Sequence, residues 1–298
     1  MGVMAATAGA PFAAREAVLR WLQQGPGPEA QEETAVRIDG PPPSRWTLVT
    51  LRATFISIRH YTPSGVWRWL HHRVGVRLRS ATVQQYSPDP QYLKKLRRLK
   101  RCLRKAARDP ARVVLVFEDE MGYSVWPEAA ADWCESAPAD PPQADRHKSD
   151  NGLWRIGGAM NAVSGQVTYV DGYVVGRAKV IELYRRLVQT YPRTKKIYVV
   201  QDNWSIHGHP EVLEAIAAYP QIEPVWLPTY APWLNPIEKL WRWLRQDILK
   251  LHRLAGDPKG LRQRVNAFLD QFTEGSYALL RYVGLLGDGQ LAKAIPRP

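Results

Sequence analysis

The sequence predicts an α/β chain: a mixed β-sheet with flanking helices, preceded by a small all-α helix-turn-helix module. Three observations predict it. VVLVFEDE (113–120) and KKIYVVQD (195–202) are near-continuous apolar runs, the pattern of strands buried on both faces. From Pro110 onward, strand-like and amphipathic helical segments alternate. Between Trp46 and Val76, apolar residues instead recur twice at helical spacing. The expected divisions are an N-terminal segment at 1–44, a helical module at 45–108 and the mixed-sheet domain at 109–298.

In the first segment, AREAVLRWLQQ (14–24) fits one amphipathic helix, while GPGPEAQEE and DGPPPSR read as loop or linker. WTLVTLRATFISI then places Leu48, Leu51 and Phe55 near one helix face. The turn HYTPSG offers Ser64 as an N-cap for a second helix, GVWRWLHHRVGV, ending near Gly75. That helix would turn Val66, Leu70 and Val74 inward, and Trp67 or Arg68 outward with His71 and His72. The two histidines are no metal site, because neighbours on a helix diverge by about 100°. RLRSATVQQYSPDP reads as an extended connector, and Pro90, with Asp89 as cap, opens a basic helix to about Ala107.

In the third segment, LWRIGGAMNAV and QVTYVDGYVV flank Ser164-Gly165 as a hairpin. AKVIELYRRLVQTY is a helix with Val180, Leu183, Tyr184 and Leu187 on one face. HPEVLEAIAAY reads as a further helix and IEPVWL as a short strand, followed by a proline-stiffened loop that runs into NPIEKLWRWLRQD. EAAADWCESAPADPPQADRHKSDNG, between the first strand and the hairpin, is an irregular excursion.

The net charge of +13 is localised. Between Arg45 and Pro110 there are sixteen Lys and Arg against two acids, Asp89 and Asp109, so the remainder of the chain sums to about −1. A positive excess held in one segment fits a polyanion, and nucleic acid better than a membrane surface. Lys94, Lys95, Arg97 and Arg98 on the basic helix, with Arg68 and His71 on the second short helix, are the expected DNA contacts. A solvated basic helix is the plain alternative. Two cysteines, Cys102 and Cys134, form no disulfide framework or metal motif. The apolar runs are too short to span a bilayer and the start lacks the features of a signal peptide, so a cytoplasmic location is expected.

Two apolar strands each empty into an acid, Asp119 in FEDE and Asp202 in VVQDN. Ligands gather at the carboxyl ends of strands in open α/β sheets, and a buried carboxylate needs a partner. Alone, each acid could simply reach solvent or cap a turn. Glu238 has a similar plain role: with Asn235 as N-cap and Pro236 first in the helix, it completes a capping-box-like arrangement. That role is compatible with another. If the helix packs on the sheet through Leu240, Trp241, Leu244 and Ile248, Glu238 can face the two aspartates. Three convergent carboxylates suit Mg²⁺, and two such ions ~3.5–4 Å apart serve in-line displacement at phosphorus.

FEDEMGY, YVVQDNWSIH and LPTYAPWLNPIEKLW together resemble the three signature blocks of DDE transposases, in the bacterial insertion-sequence branch of the mariner superfamily. The blocks occur in the family's order, with thirty-five residues between Asp202 and Glu238. The resemblance spans roughly Trp46 to Asp247. It implies an RNase H-like core, two Mg²⁺ or Mn²⁺ ions held by the catalytic residues Asp119, Asp202 and Glu238, and cut-and-paste transposition. Glu120, Asn203 and His207 match frequent companions of the blocks, with no role assigned. The implied partners are double-stranded DNA, as terminal inverted repeats and as target, and a second copy of the chain assembled on it; the implied location is the bacterial nucleoid. Family members carry a further helix-turn-helix before this one, and residues 1–44 read as a truncated version of it. A truncated or inactive transposase-derived DNA-binding protein and another RNase H-like nuclease are therefore the alternatives.

Overall fold

The computed structural model describes residues 16, 19, 20, 22, 45–55, 58–80, 86–134, 142–146 and 152–287. The linker expected at 25–44 lies outside them, as does most of the helix expected at 14–24, whose described positions are helical. The chain divides into two compact units, 1–83 and 84–298.

In the first unit, α1 (Leu48–Thr54) begins at a capping box between Thr47 and Thr50. Helix α2 (Pro63–Trp69) starts two residues earlier than Ser64 as its cap would allow. Pro63 suits the first helical position because it lacks an N–H, so Thr62 becomes the cap and its hydroxyl accepts from the Gly65 N–H at 3.1 Å. A π-turn, Leu70–Val74, extends α2 to Gly75, whose φ of 81° closes the helix in the left-handed region. Leu51, Phe55, Ile58, Val66, Leu70 and Val74 form this unit's core, with Val66, Leu70 and Val74 inward as expected.

The second unit opens with α3 (Tyr92–Arg108), the basic helix. Its Leu99, Cys102, Leu103 and Ala106, at i, i+3, i+4 and i+7, are buried against the sheet and set the basic residues on the other side. The five-stranded sheet is built from β1 (Val113–Ser124), β2 (Leu153–Asn161), β3 (Val167–Gly172), β4 (Lys196–Gln201) and β5 (Ile222–Trp226). Its order is β3-β2-β1-β4-β5. β1, β2 and β3 run antiparallel in succession, whereas β4 and β5 pair parallel to β1 and to each other.

The sheet has two packed faces. One carries Leu115, Phe117 and Met121 of β1 against α3, α6 (Ile237–Leu244), α7 (Pro258–Asp270) and α8 (Tyr277–Val283). The other carries Val114 and Val116 against Val180, Leu183, Tyr184 and Leu187 of α4 (Arg177–Thr190) and Val212 and Ile216 of α5 (Pro210–Ala217). Alternation along β1 therefore sends odd-numbered side chains to the first face and even-numbered ones to the second.

A latch joins the approach to α3 to the loop after β5. Asp89 accepts from the Lys95 ammonium at 2.8 Å and from the Thr229 N–H at 3.0 Å, while its other oxygen takes the Gln91 N–H at 2.8 Å. Lys95 also donates to the Leu227 carbonyl, and the Ser87 hydroxyl to that of Thr229. The Lys95 bond, followed by the two backbone N–H groups, lowers the Asp89 pKa to about 2. A carboxylate whose pKa is depressed on folding stabilises the fold above its unfolded value, and loses that contribution as pH falls through about 2. Asp89→Asn is accordingly expected to lower the urea midpoint at neutral pH, with the gap to the parent closing as the pH is taken down toward 2.

Candidate active site

The parallel register of β1 with β4 pairs Phe117 with Val200. Two residues further on, Asp119 and Asp202 stand level on neighbouring strands. The strands end differently, however. β4 stops at Gln201, whereas β1 continues to Ser124 because β2 keeps pairing with it antiparallel. Asp119 is thus a mid-strand residue rather than a strand-terminal one, and Asp202 begins a turn. The Asp202 Oδ1 accepts the Trp204 N–H at 2.8 Å.

Asp119 faces α6, where the Trp241 indole N–H donates to its Oδ2 at 2.9 Å. Gly158, opposite Asp119 in β2, makes that contact possible: a β-carbon there would lie 2.6 Å from the indole ring. The glycine is a packing requirement, since only a bare backbone lets the ring cross the sheet at this point.

Glu238 sits in the first turn of α6, but the cap is not the expected one. Pro236 occupies the N-cap position with no side-chain cap bond, and the Glu238 N–H reaches the Asn235 carbonyl at 3.2 Å. The Asn235 side chain instead donates to the Glu118 carbonyl at 2.9 Å. A 3₁₀ turn at Pro232–Leu234 brings the chain into α6 and leaves Asn235 in extended geometry, so its amide points at β1 rather than back at its own helix. Ile237, Leu240, Trp241 and Leu244 seat the helix on the sheet, with Ile248 beyond them partly buried.

These elements bring Asp119, Asp202 and Glu238 to one cavity of about 420 Å³, whose other walls include Asn203, Trp204 and the loop 227–232. Asn203 holds that loop through the Leu227 carbonyl at 3.0 Å. Tyr230, on the rim, keeps a φ of 52° and is exposed. For a bulky side chain this is a strained backbone, which the surrounding bonds must impose.

Burial, then the neighbouring Glu238 and Glu120, push the Asp119 carboxyl up to about 8, against the opposing pull of the Trp241 bond. Burial raises Glu238 as well, offset by Arg245 and Arg242. The site gathers negative charge where the protein alone solvates it poorly.

A model of the DDE superfamily endonucleases matches residues 114–262, half of the chain and all three of these acids. The chain belongs to this family. It is also 27% identical over 218 residues to the insertion element IS630 uncharacterized 39 kDa protein of Shigella sonnei, an alignment covering 71% of this chain and 60% of that protein. The chain therefore spans less than two thirds of the length of this curated relative. Among solved structures, it is similar in fold to the pre-cleavage Mos1 transpososome, at 17% identity and a TM-score of 0.52 over 87% of this chain and 79% of that one. The five-stranded mixed sheet flanked by helices is the RNase H-like arrangement that the resemblance implied.

In this member of the DDE superfamily the other expected residues do not line the cavity. Arg68 is exposed on α2, and His71 stacks on Trp67 with ring centres 5.1 Å apart. Lys94, Arg97 and Arg98 are exposed on α3, Arg98 reaching Glu223 and the Pro224 carbonyl. Lys95 is part of the latch described above. Two residues of the DDE domain escaped assignment from sequence. Glu118 and His207 are buried on the opposite face of β1, near Glu120. The two glutamates flanking Asp119 in FEDE were the available signal, since alternation sends them to the other side of the strand.

Asn235→Ala is expected to destabilise the domain by about 1–3 kcal/mol, the cost of leaving a buried carbonyl unpaired. Asn235→Asp, which turns a carboxylate oxygen toward the Glu118 carbonyl, should cost at least as much. Urea unfolding of the full chain measures both.

Proposed function

We propose that this chain is a DNA transposase that cuts and joins DNA at transposon ends by phosphoryl transfer, with Asp119, Asp202 and Glu238 as its metal-binding catalytic residues. The observation that carries this reading is their meeting in one cavity from three separate elements, a strand interior, a strand end and a helix start. The family and the insertion-element relative support it.

The donor set fits Mg²⁺ or Mn²⁺, two ions per site: three carboxylates, no thiolate, and an elevated Asp119 pKa that a cation would reverse. Bound there, the ions supply activation of a water or 3′-hydroxyl and stabilisation of the leaving oxygen in an in-line displacement. The chain's own contribution is geometry. Trp241 fixes the orientation of Asp119, Asn235 and the 3₁₀ turn fix that of Glu238, and the Trp204 N–H fixes that of Asp202. Donors held this way need little rearrangement during reaction.

The substrate is double-stranded DNA, first as the element's terminal inverted repeats and then as target, with two copies of the chain assembled on it in the bacterial nucleoid. Arg68 and His71 of α2 and the exposed Lys94, Arg97 and Arg98 of α3 are its proposed contacts, while Lys95 acts through the loop it holds. Among the described residues no helix is long and apolar enough to cross a membrane.

Asp119→Asn, Asp202→Asn and Glu238→Gln should each reduce Mg²⁺-dependent nicking of terminal-repeat DNA by at least ~10³-fold, with gel-shift affinity retained. Undiminished nicking in the triple variant would remove the catalytic assignment. Binding without nicking by the parent, in Mg²⁺ and in Mn²⁺, would favour a DNA-binding protein, and nicking without strand transfer another RNase H-like nuclease. Charge reversal at Lys94, Arg97 and Arg98 should flatten the log–log dependence of DNA affinity on salt by ~0.9 for each phosphate no longer neutralised. An unchanged slope would place α3 away from DNA.

A further inference from the structure

Behind the cavity, on the opposite face of β1, lies a second group of donors. Glu118 and His207 are 1% and 0% exposed, and Glu120 is mostly covered. No donor group of the protein reaches either Glu118 oxygen, either His207 ring nitrogen or the Glu120 Oε1, and the two glutamates can hydrogen-bond only to each other, through a proton that one of them must carry. Buried polar atoms in folded proteins nearly always have a hydrogen-bond partner, and this many orphans at one point is a demand for something to fill it. The His207 ring is packed edge-on between Trp204 and Trp226, which sets its direction without satisfying its nitrogens.

The spacing indicates what fills the gap. The His207 Nε2 lies 3.3 Å from the Glu118 Oε2, 3.6 Å from the Glu120 Oε1 and 3.8 Å from the Asp202 Oδ1. A proton shared between the imidazole and one of these carboxylates would draw the two atoms to ~2.5–2.9 Å, and one shared by the two glutamates would leave both His207 nitrogens unsatisfied. A tetrahedral ion with bonds of ~2.0–2.2 Å holds its ligand atoms ~3.3–3.6 Å apart. Donor atoms of Glu118, Glu120 and His207 all fall within 4.8 Å of one another.

We propose that Glu118, Glu120 and His207, with Asp202 at the fourth corner, bind one divalent transition-metal ion of the zinc class, separate from the ions of the catalytic cavity. One imidazole nitrogen with carboxylate oxygens suits zinc, cobalt or manganese, whereas magnesium prefers an all-oxygen shell. The ion has no part in the phosphoryl transfer. It neutralises two buried glutamates and ties β1 to the turn 202–207, so that Asp202 is held from behind as Asp119 is held by Trp241.

The test uses the full chain carrying Asp119→Asn and Glu238→Gln, which weakens the catalytic cavity and leaves all four proposed ligands intact. Co²⁺ titration followed by visible absorption, with Zn²⁺ competition and elemental analysis, should show one bound equivalent with an imidazole-containing spectrum. Zn²⁺ should displace it and millimolar Mg²⁺ should not. Adding His207→Asn or Glu120→Gln should weaken the site by more than the ~10–100-fold that loss of an outer-shell partner costs. No bound equivalent in the parent background would overturn the proposal in favour of a shared proton, and that measurement requires no change at the cluster. Ready displacement by Mg²⁺, or an equivalent unaffected by both substitutions in folded protein, would overturn it too. Because the readout is binding in a variant disabled for catalysis, its failure leaves the catalytic assignment untouched.

Discussion

The hydrogen bond from Asn235 to the Glu118 carbonyl is the contact on which the geometry of the site depends. The loop that delivers Glu238 contains Pro228, Pro232 and Pro236, so three of its residues have no N–H to offer the sheet. Side chains from elsewhere take over. Asn203 and Lys95 hold the Leu227 carbonyl, Asp89 the Thr229 N–H, Ser87 the Thr229 carbonyl, and Asn235 the strand itself. A helix cap fixes a helix relative to its own first turn only. The Asn235 bond fixes α6 relative to the residue that precedes Asp119, which is what convergence of the two acids requires.

The same strand explains why so much charge collects here. FEDE alternates across the sheet, so β1 sends Asp119 to the α6 face and Glu118 and Glu120 to the α4 face, within a few ångströms of Asp202. Burial raises the proton affinity of Glu118, Asp119 and Glu120 together; Glu120 adds to it at both of the others, while a hydrogen bond from Glu118 partly offsets it at Glu120. A fold with this arrangement is under electrostatic strain when the carboxylates are ionised and unpaired, and cations relieve it without moving the backbone. The strain is local, since the apolar layers on either side of the sheet continue uninterrupted past it.

Most of the architecture was legible in the sequence because its elements carry their own periodicity. The apolar runs of β1 and β4, the hairpin around Ser164-Gly165 and the inward stripe of α4 each depend on local pattern, and the structure has them where expected. What escaped was set by partners distant in sequence. β1 runs past Glu120 because β2 pairs with it, which nothing within VVLVFEDE announces. Asn235 has the composition of a cap, yet it serves β1, because the 3₁₀ turn ahead of α6 rotates it away. Ser64 yielded to Thr62 through the backbone constraint of Pro63. Glu118 and His207 are 89 positions apart and acquire meaning only when α4 and the turn after β4 close over the same face of β1.

The basic helix shows how composition and packing divide one element between two tasks. Read as charge alone, α3 belongs with the helical module before it; read through Leu99, Cys102, Leu103 and Ala106, it belongs to the sheet. The apolar stripe decides its position, because burying four side chains against β1 and β5 outweighs anything its solvated charges gain by standing elsewhere. The charges then become consequences of that position. Lys95, at the edge of the stripe, is drawn into the latch with Asp89 and Leu227, while Lys94 and Arg97 are left facing outward. One helix therefore presents a basic surface and braces the wall of the acidic cavity. Any polyanion held on its outer face would be held by the element that also positions the loop 227–232, so a pull on that face would reach the wall of the cavity directly.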